Sequence, residues 1–243
     1  MNGVITAGAR VNGEFAREIG TPVKALASIG GRTLLAASIA AAREAGVTHL
    51  AVVGGAEVRR ACAPSVEAVI EESESGAVNL RRALRSWDDS APLLYLTSDM
   101  PFVTPAALRT FVEAVPSGAL ALPLTDCRDF ERRFPGAPAF GIEIGGERVV
   151  NGGAFWIPAG AAGAVERLAM GFFDARKSIA RMAMLLGPVL ALQFAMRRLS
   201  IAKLEAEARR RLGIPALAIR GAPPELAYDI DTFEEYEYAA QRA

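Results

Sequence analysis

Lys24 is one of only three lysines among the 27 basic residues of this 243-residue chain; the others are Lys177 and Lys203. It closes the stretch Thr21-Pro-Val-Lys24, which follows the glycine-bearing segment Ile5-Thr-Ala-Gly-Ala-Arg-Val-Asn-Gly13. A compact ammonium beside exposed backbone amides is what a triphosphate needs, because point charge and N–H donors together answer a dense polyanion. A surface lysine near a turn would read the same way. The loop is not a Walker A sequence, since no Gly-Lys-Ser/Thr follows, and Gly8-x-x-x-x-Gly13 lacks the dinucleotide spacing.

Three further places offer oxygen ligands. Ser98-Asp-Met-Pro101 ends an apolar run, which puts Asp99 at a strand end, where a carboxylate can hold a divalent cation. A turn or helix-capping aspartate fits the same pattern. Asn151-Gly-Gly153 lets backbone come close to a ligand and supplies an amide oxygen, or it marks a bulge. Asp229-Ile-Asp-Thr232 precedes a helical pattern, and strand alternation would put both carboxylates on one side. Capping by Asp231 or Thr232, with Glu234 and Glu235 on the helix dipole, is the other reading.

The elements that must position these residues alternate through the first half. Strands are expected at Val4–Ala7, His49–Val53, Val66–Ile70 and Leu93–Thr97. Helices are expected at Leu34–Ala45, ended by Gly46, at Val78–Ser86, and at Pro105–Val115 with Thr104 as N-cap. This rhythm predicts a parallel sheet with helices on both faces and ligands at the carboxyl ends of its strands, where Gly8, Gly54 and Asp99 fall. Asp126–Pro138 reads as charged and turn-rich. A hairpin is expected from Phe140–Ile144 and Glu147–Val150 around Gly145-Gly146. Residues 160–212 read as mostly helical, Ala216–Ile219 as a late strand, and a terminal helix starts at Phe233. No internal repeat or linker interrupts what reads as a single domain over residues 1–243.

Composition excludes several classes. The 27 basic and 27 acidic residues balance, so nothing predicts bulk attraction to nucleic acid or to an anionic membrane. Two cysteines far apart, Cys62 and Cys127, and the lone His49 make neither a zinc cluster nor a triad. The start Met1-Asn-Gly-Val-Ile lacks the pattern of a leader. The uncharged run Met182–Met196 is interrupted by Gly187-Pro188 and is too short to span a bilayer. Its Met182, Leu185, Leu186, Leu190 and Phe194 are expected to pack on the sheet or in a homodimer, with a partner or membrane surface as the alternative. A cytoplasmic protein is expected.

Taken in order, the pieces resemble a family. Thr6-Ala-Gly8 with Lys24-Ala-Leu, Gly30-Gly-Arg-Thr-Leu-Leu35, Val52-Val-Gly54, Ser98-Asp-Met-Pro101, Asn151-Gly-Gly153 and Asp229-Ile-Asp-Thr232 look like the MobA-like nucleotidyltransferases, relatives of the molybdenum-cofactor guanylyltransferase. The match extends over nearly the whole chain. One departure is Ala9 after Gly8, where family loops usually carry Gly-Gly or Gly-x-Gly. Another is a longer helical insert at about 160–212, whose Asp174-Ala-Arg-Lys177-Ser178 is similar to a subgroup of bacterial members.

The resemblance implies a three-layer α/β/α fold of the glycosyltransferase A type, with a mostly parallel sheet and a helical C-terminal insert. It implies transfer of a nucleoside monophosphate from a triphosphate to a phosphorylated small-molecule acceptor, with magnesium as cofactor and pyrophosphate released. Lys24 and Asp99 would be the catalytic pair. Ala7, Gly8, Ala9, Arg10, Lys24, Gly54, Gly76 and Asn79 would hold the nucleotide. Asn151, Gly152 and Lys177 would meet the acceptor, and Asp99, Asn151, Asp229 and Asp231 would serve the metal. A nucleotide-sugar glycosyltransferase shares the fold, but its Asp-x-Asp usually lies on a middle strand, whereas Asp229 and Asp231 come late.

Overall fold

A computed structural model of the chain describes residues 1–138, 141–175, 187–196 and 198–242. In chain order its elements are β1 (Asn2–Thr6), α1 (Gly13–Glu18), β2 (Ser28–Ile29), β3 (Arg32–Thr33), α2 (Leu34–Glu44), β4 (His49–Gly54), α3 (Ala56–Cys62), β5 (Ala68–Glu71), α4 (Gly76–Leu84), β6 (Leu93–Thr97), α5 (Pro105–Glu113), β7 (Leu120–Asp126), α6 (Cys127–Arg133), β8 (Ile142–Ile144), β9 (Glu147–Asn151), β10 (Ala154–Ile157), α7 (Ala162–Ala175), α8 (Pro188–Ala195), α9 (Ile201–Leu212), β11 (Ala216–Arg220) and α10 (Phe233–Ala240).

The main sheet runs β5-β4-β1-β6-β10-β7-β9-β8, with β11 beside β7. β1 pairs in parallel with β4 and β6, and β4 with β5. β10 inserts antiparallel between β6 and β7. The central strands are apolar on both faces, as burial between two helical layers requires. Ile5, Leu50, Val52, Leu94 and Leu96 point into one core with Leu35 and Ile39 of α2, Val58 of α3, and Leu108 and Phe111 of α5. Val4, Ala51, Val53 and Leu93 alternate to the other face, against Ala83 and Leu84 of α4 and Val165 of α7. The α/β sandwich is therefore three layers deep.

The caps follow the expected chemistry. The Thr104 hydroxyl accepts from the Ala107 N–H at 3.1 Å, and Thr33 does the same for Ala36 at the start of α2. The Gly145-Gly146 hairpin forms, with φ of 62° and 82° at its two glycines, a conformation that side chains resist.

Two stretches differ from the sequence reading. Asp126–Pro138 is not all turn: the Asp126 carboxylate caps α6 by accepting from the Arg128 N–H at 2.7 Å. Phe130 and Phe134, four residues apart, bury one helical face. The Asp229–Asp231 segment is not a strand but an irregular crossing of the end of β6, where the Ile230 N–H donates to the Asp99 carbonyl at 3.1 Å. In the Met182–Met196 run, Met182, Leu185 and Leu186 lie outside the described residues. α8 leaves Val189, Leu192, Phe194 and Met196 exposed rather than packed on the sheet. No helix among the described residues is long and apolar enough to cross a membrane.

Candidate functional site

The site is built where β1 and β6 end side by side. The loop after β1 doubles back on itself. Val11 N–H donates to the Pro22 carbonyl, Arg10 bridges Val23, and the Lys24 N–H donates to the Ala9 carbonyl at 2.9 Å. These bonds fix the start of a 3-10 turn, Lys24–Leu26, so that the lysine points across the sheet edge. The other partner is set by β6, whose last residues deliver Ser98 and Asp99; the Ser98 N–H donates to the Thr6 carbonyl and locks the two strand ends together.

Lys24 Nζ lies 2.7 Å from Asp99 Oδ2 and 2.8 Å from Asp231 Oδ1. The lysine residue is only 6% exposed. Burial opposes its charge, but attraction to Asp99 and hydrogen bonds to Asp231 and Asp99 outweigh that cost and raise its pKa. The ammonium is held charged. Asp229 is the converse case. Burial, then the negative charges of Asp99 and Asp231, push its carboxyl up to about 7, against a partial pull from Lys24. One cation thus faces more carboxylate charge than it can answer.

The donor set suits a hard divalent cation. Asp99 Oδ1 is closed to solvent and has no hydrogen-bond partner, so a ligand for that oxygen is missing from the protein itself. Among the described residues no group of three or more His, Cys, Asp and Glu side chains converges as a complete metal cage. Magnesium does not need one, since it is usually held by one or two carboxylates plus waters and substrate phosphates.

The late aspartates reach the site through the C-terminal segment. Thr232 caps α10 by accepting from the Glu235 N–H, and Glu235 Oε2 accepts in turn from the Asp231 and Thr232 N–H groups at 2.6 Å. The capping box forms, and the same segment brings Asp231 onto Lys24.

Asn151-Gly-Gly153 sits where the β9–β10 run bends. The Gly153 N–H donates to the Leu226 carbonyl, and the Thr97 N–H donates to the Gly153 carbonyl, both at 2.9 Å. A Cβ on Gly152 would stand 2.3 Å from the Leu226 oxygen, and one on Gly153 would stand 2.2 Å from Thr97 Oγ1. Both glycines are occupied in packing three segments behind Asp99. Asn151 is exposed and pairs with Leu124. Lys177 lies outside the described residues.

The opposite half of the edge carries Gly8, Gly54 and Gly76. Ala7 is buried and ties β1 to β4 through its N–H and the Val53 carbonyl, while Ala9 and Arg10 are exposed. Gly54 lies under Val58, whose atoms would meet a Cβ at 2.5 Å. Asn79 turns its amide inward, accepting from the Ser73 N–H at 2.6 Å and donating to the Ser73 carbonyl at 2.8 Å. It therefore fixes the loop between β5 and α4, and Gly76 opens α4 behind the Ser75 cap.

Glu57 and Glu72 were not singled out in the sequence, yet they meet Arg10 here. Arg10 Nη2 donates to Glu72 Oε1 at 2.9 Å, and Nη1 lies 3.5 Å from Glu57. The signal available was the acidic run Glu71-Glu-Ser-Glu74 directly after β5, which is indistinguishable from a solvated loop until the sheet order is known.

Comparison with known proteins identifies the family. The family model for the MobA-like NTP transferase domain matches residues 4–207. No curated protein matches the chain. Among solved structures, a hypothetical transferase from Thermus thermophilus superposes with a TM-score of 0.82 at 26% identity, over 97% of this chain and 99% of that one. A Mycobacterium tuberculosis protein solved with manganese superposes at 0.57 and 20% identity, over 100% and 98%. The 2-C-methyl-D-erythritol 4-phosphate cytidylyltransferase of Thermus thermophilus superposes at 0.56 and 16% identity, over 99% and 97%. The last two share the fold. With its ordered motifs carried on this sheet and the family match running from β1 into α9, the chain belongs to the MobA-like NTP transferase family and is a nucleotidyltransferase.

Proposed function

We propose that this protein transfers a nucleoside monophosphate from a triphosphate to a phosphorylated small-molecule acceptor in a magnesium-dependent reaction. The observation that carries the reading is Lys24 clamped between Asp99 and Asp231 at the end of β6. The manganese bound by one neighbour and the phosphate acceptor in the name of another are consistent with it. A triphosphate substrate and the buried thiols of Cys62 and Cys127 suit a cytoplasmic setting.

An acceptor phosphate oxygen attacks the α-phosphorus, a new P–O bond forms, and the bond to the β-phosphate oxygen breaks as pyrophosphate leaves with its electron pair. The acceptor arrives already anionic, so no strong general base is required. That agrees with a chain whose lone histidine, His49, opens β4 at the edge opposite the strand ends. Catalysis then rests on in-line positioning and on charge neutralisation. Lys24 exchanges Asp231 for phosphate oxygens while Asp99 holds it in place. Asp99 and Asp229 would hold the magnesium, which supplies Lewis-acid stabilisation of the developing phosphate charge.

Asp99→Ala is expected to abolish turnover while part of the triphosphate affinity survives. Pyrophosphate release by the purified variant in excess magnesium at the wild-type rate would refute the assignment.

A further inference from the structure

Far from the transfer chemistry, α8 sets apolar side chains in water. Among the described residues five large hydrophobic side chains are exposed, and four of them, Val189, Leu192, Phe194 and Met196, belong to α8 or its C-cap. Val189, Leu192 and Met196 recur at the i, i+3, i+7 spacing of one helical face. None of the buried residues described comes from α8, and the helix, Pro-Val-Leu-Ala-Leu-Gln-Phe-Ala, has no charged side chain. Apolar side chains clustered at the surface in this way mark a contact with another molecule or with a membrane.

Charge says which. The turn that ends α8 is fixed: the Arg198 and Leu199 N–H groups both donate to the Gln193 carbonyl, at 2.7 and 3.1 Å, and Leu199 and Ile201 then bury themselves in the fold. That turn carries cations. Arg198 and Lys203 are exposed, and Lys203 Nζ donates to the Arg198 carbonyl at 2.8 Å. Two cations at a helix C-terminus also complement its dipole, but the bias is wider than one helix end. Between Asp174 and Glu205 the sequence holds six basic residues and no acidic one, although the chain as a whole is neutral.

We propose that α8 docks this protein on an anionic lipid surface, with its exposed apolar side chains in the headgroup region and Arg198 and Lys203 against lipid phosphates. Lasting but reversible attachment takes two signals, an apolar one and a basic one, and this segment carries both. Each basic residue near such a surface strengthens binding roughly fivefold, an effect that salt screens. A second copy of the chain is the poorer occupant. It would bring the same acid-free stretch to the contact and leave the cations facing their like.

The test is co-sedimentation of the full-length protein with vesicles of phosphatidylcholine alone and of phosphatidylcholine mixed in equal parts with phosphatidylglycerol. Wild type is expected to partition onto the anionic vesicles roughly 10-fold or more above the neutral ones, and to come off as salt rises to about 0.5 M. Leu192→Asp removes an apolar contact and adds a repelled charge, so it is expected to weaken that partition roughly 10-fold or more. Arg198→Glu is expected to weaken binding to the anionic vesicles only. Both positions are exposed, so the fold is kept, which circular dichroism checks. Equal partition onto the two vesicle types, absence of binding to either, or binding that Leu192→Asp leaves unchanged would overturn the proposal. So would a wild type that sediments as a dimer in the ultracentrifuge and becomes a monomer on Leu192→Asp, since the face would then belong to a second copy.

Discussion

At the residue scale, Asp229 carries the excess of negative charge in the site. Its pKa of about 7 stands above the ordinary 3.8, so between about pH 4 and pH 7 the folded protein keeps a proton that the unfolded chain has released. Stability therefore falls as pH rises through that window, and the penalty is complete above about pH 7. Asp229→Asn removes the group that titrates. Metal-free protein carrying it is expected to melt higher than wild type at pH 8 and to show a flatter dependence of melting temperature on pH between 5 and 8. Identical profiles would mean that Asp229 is not the strained carboxylate. If Asp229 helps hold the cation as proposed, the variant is also expected to bind magnesium nucleotide less well than wild type.

At the scale of elements, the β9–β10 bend works as a spacer between the end of β6 and the 3-10 turn Pro224–Leu226. Gly152 leaves room for the Leu226 carbonyl, and Gly153 for Thr97. At Gly152 the added methyl would meet the Leu226 backbone and the Pro123 ring, neither of which can rotate away. Gly152→Ala is expected to cost about 1–3 kcal/mol by overpacking and to lower turnover further by moving the segment that carries Asp229 and Asp231. Chemical denaturation and a pyrophosphate assay on the same preparation separate the two effects; a variant with wild-type stability and turnover would show the spacing to be unimportant. The sequence made the strands and the glycine-ended loops legible because apolar runs and Gly or Pro punctuation report local preference. It did not show that β10 would insert antiparallel beside β6, since pairing order depends on distant partners. It also did not separate the Asp229–Asp231 loop from a strand, because alternation of two charged residues is satisfied by either.

For the whole molecule, the decisive join is between the first and last parts of the chain. Lys24, closing the loop after β1, and Asp99, at the end of β6, lie side by side, whereas Glu72 and Arg10 met only because β5, β4 and β1 lie in that order. The C-terminal segment is anchored by Tyr228, which is fully buried. Its ring lies 5.0 Å from that of Phe102 and 5.1 Å from that of Phe134, centroid to centroid, and its hydroxyl donates to the Glu235 carbonyl at 2.9 Å. Tyr228→Ala is expected to lower stability by about 3–5 kcal/mol, read by urea titration, and to weaken turnover in the fraction that remains folded. A loss below about 1 kcal/mol, within the usual range of surface substitutions, would show that the segment docks by other means.

The ion pair from Lys24 to Asp231 spans 207 residues of sequence. Such a pairing belongs to the high-contact-order part of folding, where long loops close only after local structure has made their closure worthwhile. If the proposed site is right, catalytic competence is expected to come late in folding. Species with a finished central sheet and an undocked tail carry Lys24 and Asp99 but not the other two aspartates. Under the proposed mechanism, such species are expected to release no pyrophosphate until the last segment seats.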